Sequence, residues 1–125
     1  MKAVLDAGAF VAVEKRDRRV GAMLRVLRDR RVPMWTSAAV VAQVWRDGRK
    51  QTLLAQVLDG VGVRALAVGE DKRSGELLAV THTTDVIDAH LALLVEDGDH
   101  VLTSDRDDLE RLLAARRIDA ALVET

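Results

Sequence analysis

The apolar runs of this chain are short, and a stretch with helical spacing follows almost every one. Lys2–Leu5, Met34–Thr36, Val63–Val68, Val101–Thr103 and Ala120–Val123 span three to six residues each, which is strand length and too little for a buried helix. Between them the pattern turns helical: from Ala9–Val13, over 18–31, over Ala38–Arg46, from about Lys50 to Leu58, over Asp71–Val80, from Asp85 through Val95, and from Asp105 or Asp107 through Arg116. Strands that alternate with helices pair in parallel, because each return needs a crossover, and the crossing helices cover both faces of the sheet. The expected fold is a three-layer α/β/α sandwich on a short central parallel sheet of about five strands, with residues 1–125 forming a single domain.

Local signals set the punctuation. In RRVGAMLRVLRDRR, Val20, Met23, Leu24 and Leu27 share one stripe, and arginines occupy the rest of the helix. Pro33, the only proline, ends that helix, and Ser37 stands where it can cap the next. Leu53, Leu54, Val57 and Leu58 point one helix inward, while Gly60 and Gly62 bracket a turn.

Composition excludes several classes. No apolar run approaches the roughly 20 residues that cross a bilayer, and the N-terminal stretch carries a lysine and an aspartate, unlike a secretory signal. With no cysteine there is no disulfide and no thiolate site, so the expected address is the cytoplasm. A net charge of −1 hides an asymmetry: residues 15–50 hold eleven Lys/Arg against three acids, and residues 51–125 hold seven against fifteen. A basic lobe of this kind steers polyanions or pairs with an acidic segment; its plainer reading is a solvated helix surface.

Chemistry concentrates in the acids. In parallel α/β sheets ligands bind beyond the carboxyl ends of the strands, and Asp6 and Asp105 lie at the ends of the first and fourth apolar runs. Asp88 lies in TTDVIDAHLALL, where a carboxylate entering a mostly apolar helix needs a partner. Each of these has a structural competitor. Asp6 suits an N-cap, Asp85 and Asp88 form a capping pair, and Ser104, Asp105, Asp107 and Asp108 all compete to cap the last helix. Taken together, spread-out carboxylates that converge in a fold hold Mg²⁺ or Mn²⁺, which prefer oxygen ligands.

Other chemistries lack their motifs. His82, His90 and His100 have no zinc spacing and read as surface or edge residues. No phosphate-binding glycine loop occurs, and Ser37, Ser74 and Ser104 lie in no nucleophile elbow. Trp35 and Trp45 are too few for an extended base-stacking platform, and Trp45 is expected in the core or a dimer interface. A phosphoacceptor receiver fits poorly, because the first strand ends on a single acid.

The segments VLDAGAF, TSAAVVAQVWR, DVIDAHLALL and VLTSDRDDL, in that order across nearly the whole chain, resemble the PIN domain, and more narrowly the VapC-type toxins of bacterial toxin–antitoxin pairs. The resemblance implies a Mg²⁺- or Mn²⁺-dependent ribonuclease, a homodimer, an RNA substrate and a cognate antitoxin. Carried over by position, Asp6, Asp88 and Asp105 are the catalytic, metal-binding acids, with Thr103 or Ser104 as the supporting hydroxyl. The departure is Gln43, six residues after Ser37, where the family usually has glutamate. An amide ligates without charge and cannot act as a base. Three readings stay open: three acids and water suffice; Asp85, Asp108 or Glu14 makes up the charge; or the protein is an attenuated module that binds RNA or antitoxin with little cleavage. Arg46, one turn from Gln43, is a candidate for phosphate contact, with a solvent-facing arginine as the alternative.

Overall fold

A computed structural model describes residues 1–125. The chain runs β1 (Ala3–Leu5), α1 (Ala7–Glu14), α2 (Arg18–Asp29), β2 (Met34–Ser37), α3 (Ala38–Val44), α4 (Thr52–Leu58), β3 (Gly62–Arg64), α5 (Glu70–Thr81), α6 (Val86–Leu94), β4 (His100–Thr103), α7 (Arg106–Ala115) and β5 (Ala121–Glu124). The five strands form one parallel sheet in the order β3-β2-β1-β4-β5. Helix α1 packs on α2, α3 and α4, while α5, α6 and α7 pack on one another. These are the two layers that right-handed crossovers in opposite directions put on opposite faces. The expected α/β architecture with a five-stranded parallel sheet is therefore observed.

Burial follows the sequence pattern. Ala3, Val4 and Leu5 are fully buried between the two helix layers. On α2 the apolar stripe faces inward through Val20 and Leu24, with Met23 and Leu27 partly buried. No single helix is long and apolar enough to cross a membrane.

Three expectations need correction. The third strand stops at Arg64 instead of reaching Val68, and 65–68 is exposed. Arg64 pairs with Ser37, the last residue of β2, so the ladder has no partner beyond it once β2 turns into α3. Gly62 belongs to this strand, not to a turn; a Cβ there would come 2.6 Å from the Trp35 ring, which lies across it. Trp45 is 37% exposed and packs against Gly48, so of its two expected places, core or dimer interface, the core is ruled out.

What matters for the site is where the strand order reverses. The chain steps outward from β1 to β2 and β3, then returns to place β4 on the other side of β1. The register Leu5↔Leu102 brings Asp6 level with Thr103 at the carboxyl ends. At the opposite end, buried Asp99 accepts from the Lys2 backbone N–H at 3.0 Å and the Lys2 ammonium at 2.7 Å, fixing that register.

Candidate metal centre

Asp6 leaves β1 with extended backbone and caps α1, accepting the Ala7 N–H on Oδ1 at 2.7 Å. Capping uses one oxygen only. The other, Oδ2, accepts the Thr103 hydroxyl at 2.7 Å, and the side chain is buried. Burial raises the Asp6 pKa above the usual carboxylate value; the bonds from Thr103 and Ala7 oppose that rise, and the charges of Asp105 and Asp85 add to it. Asp6 thus lies within electrostatic reach of both.

At α6 the capping question is settled by Asp85, whose Oδ1 accepts the N–H groups of Ile87 and Asp88 at 2.9 and 3.0 Å. Asp88 is left without a capping role. It is 6% exposed, and its Oδ2 is buried with no hydrogen-bond partner. A buried polar atom without a partner is costly. Burial, then the charges of Asp6 and Asp85, then a proton shared with the Asp105 carboxylate, push the Asp88 pKa up to about 8.

Asp105 holds the N-cap position of α7 but makes no side-chain capping bond. Its backbone N–H donates to Thr103 Oγ1 at 2.9 Å, and the residue is exposed. Ligand oxygens of Asp88, Asp105 and Asp108 all lie within 4.8 Å of one another. The structure thus joins two of the expected acids, Asp88 and Asp105, to Asp108, with Asp6 beside the group and not inside it. Three carboxylates and an orphaned buried oxygen suit a hard divalent cation such as Mg²⁺ or Mn²⁺, and no soft donor competes.

Of the two candidate hydroxyls, Thr103 is the buried one and bridges Asp6 to Asp105; Ser104 is exposed and closes against Gly8. Gln43 is exposed at the end of α3. Arg46 turns Nη1 back onto the carbonyls of Ala42 and Trp45 at 2.9 and 2.7 Å, at the C-terminal end of that helix. Glu14 accepts from the Gln51 amide at 3.0 Å.

The reading of His90 as a surface or edge residue is overturned: it is 1% exposed. Its Nδ1 lies 2.8 Å from Ser37 Oγ, and its Nε2 faces Glu70 at 3.8 Å, which in turn pairs with Arg64 at 3.2 Å. Burial lowers the His90 pKa, with Glu70 opposing and Arg64 assisting, so the imidazole is neutral near pH 7. The sequence signal was available: His90 sits among Ala89, Leu91, Ala92 and Leu94, in the same apolar helix that demands a partner for Asp88. Gln51 had no such signal. Its buried amide accepts the N–H groups of Arg46 and Asp47 and donates to Val44, holding the α3–α4 loop.

No protein-family model and no curated protein matches this chain. Among solved structures it is similar to a chain in the crystal structure of VapBC2 from Rickettsia felis bound to a DNA fragment from their promoter. The TM-score is 0.69 at 16% identity, over 100% of this chain and 99% of that one. At that identity the likeness speaks for the fold alone, a PIN-like α/β fold.

Proposed function

We propose that this chain is a Mg²⁺- or Mn²⁺-dependent endoribonuclease and the toxin of a toxin–antitoxin pair, acting in the cytoplasm as a homodimer. The observation that carries the reading is the buried, unpartnered Oδ2 of Asp88 beside the carboxylates of Asp105 and Asp108. No donor group of the protein reaches that oxygen, and a cation would neutralise the carboxylates around it. The likeness to a VapBC2 chain adds an antitoxin to the reading.

In this reading Asp88 and Asp105 hold the ion, and Asp6 completes the acidic surround. A divalent cation there supplies water activation and charge stabilisation for phosphodiester hydrolysis. The rest falls to the protein. Thr103 fixes Asp6 and the Asp105 backbone through one hydroxyl, and the capping by Asp85 frees the Asp88 carboxylate for the site. With few aromatics, RNA affinity comes from phosphate contacts and falls steeply with salt. The groove between α2 and α4 combines Arg16, Arg18, Arg25 and Arg28 with an apolar floor that includes Leu24 and Val57. That combination suits an acidic amphipathic antitoxin segment. Leu66 and Val68, exposed just beyond β3, support self-association.

Cleavage of total RNA with Mg²⁺ or Mn²⁺, wild type against Asp6→Asn, tests the activity. Wild type should cut and the variant should lose most of that activity; equal activity from both sinks the assignment. Light scattering of the purified chain tests the dimer, and a monomer at assay concentration overturns that part alone.

A further inference from the structure

We infer that Asp108 is a ligand of this metal centre and supplies part of the negative charge that holds the ion. The inference rests on the metal-nuclease reading above and assigns to Asp108 a role that reading leaves open.

Position comes first. The Asp108 ligand oxygen lies within 4.8 Å of those of Asp88 and Asp105. Ligands on an ion bound at about 2.1 Å lie roughly 3 Å apart when adjacent and roughly 4.2 Å apart when opposite, so side-chain rotation on the order of an ångström brings all three onto one ion. The unpartnered Asp88 Oδ2 is the independent sign that this group is incomplete without one.

Availability comes second. Asp108 is the third residue of α7, where an acid commonly reaches back to the N-cap backbone N–H. Here that N–H, on Asp105, already donates to Thr103 Oγ1. Asp108 is thereby released from capping. The other acids able to make up the charge lie outside the ligand group, and each has one oxygen in use: Asp85 Oδ1 accepts two helix N–H groups, and Glu14 Oε1 accepts from Gln51.

A plainer account is that Asp108 only favours the helix dipole from the first turn of α7. That account applies equally to Asp107, which shares the turn but is exposed and outside the group. Asp107 is therefore the internal control: same helix, same charge, no ligand geometry.

The test is Mn²⁺ titration of the purified full chain, reading free Mn²⁺ by electron paramagnetic resonance. Asp108→Asn should weaken the dissociation constant roughly tenfold, and Asp107→Asn by less than about twofold. Asp108→Ala gives a second variant should the first fold poorly, with circular dichroism reporting the fold. If Asp88→Asn weakens binding but both Asp108 variants bind like Asp107→Asn, the inference fails and the metal reading stands. If wild type binds no Mn²⁺, or Asp88→Asn binds as wild type does, the metal reading itself fails.

Discussion

Thr103 and Asp6, 97 residues apart in sequence, are joined by a 2.7 Å bond from the buried hydroxyl to Oδ2 of the carboxylate. The same hydroxyl oxygen accepts the Asp105 N–H at 2.9 Å, so one side chain ties both strand ends of the acidic group together. Thr103→Val keeps the shape and removes both bonds. It should cost about 1–3 kcal/mol, the range for stranding buried polar partners, and weaken Mn²⁺ binding. Thr103→Ser should retain most of both. Thermal unfolding and Mn²⁺ titration check this; a valine variant as stable and as tight as wild type refutes the bridging role.

Much of this arrangement is legible before folding. Short apolar runs with helices between them force parallel pairing, and an acid within two residues after such a run lands at a carboxyl end. Asp6 and Asp105 were therefore placed by pattern alone. Asp108 was one of several competing caps, because its role depends on where the Asp105 N–H points, which no local pattern records. The length of β3 was likewise hidden. Val63–Val68 is apolar but for Arg64, yet the ladder ends where β2 turns into α3. His90 shows the reverse case: its apolar flanks were in the sequence, but its partner Ser37 lies 53 residues away.

The Ser37–His90–Glu70 alignment has the residue types of a hydrolytic triad, and it should be inert. Ser37 is fully buried, and its hydroxyl both approaches His90 and accepts the Ala39 N–H at 3.1 Å as the α3 cap. A fluorophosphonate probe should leave the native protein unlabelled. Ser37→Ala should instead cost stability, about 1–3 kcal/mol for the lost cap and the stranded imidazole. Labelling at Ser37 in the folded protein would falsify the sealed, structural role.

Asp88 makes the protein without cation sensitive to pH. Its carboxyl titrates near 3.8 when unperturbed and near 8 in the fold. Between those values the folded state holds a proton that the unfolded chain has released. The contribution of Asp88 to stability is therefore greatest below the lower value and declines as pH rises, levelling off above about 8, while Asp99, despite its burial held below the usual carboxylate range by Lys2, works the other way at the acid end. Added Mn²⁺ should reverse the trend, because the ion displaces that proton and binds more tightly as pH rises. Melting temperatures from pH 5 to 8.5, with and without Mn²⁺, check it: the gap between the two curves should widen with pH. A constant gap contradicts the proton–metal competition at Asp88.

Gln43→Glu separates an impaired site from a compensated one. If the amide leaves the centre one charge short, restoring glutamate should raise RNA cleavage by orders of magnitude. With Asp108 supplying that charge, the gain should stay below about threefold, since metal affinity follows the number of charged ligands and that number is already met. The same substitution in an Asp108→Asn background should recover a larger share of the lost cleavage, because there the charge is missing. Cleavage of one RNA by the four proteins, at fixed Mn²⁺ and pH, completes the cycle. A large gain in the wild-type background would mean that position 43, not Asp108, limits the native centre.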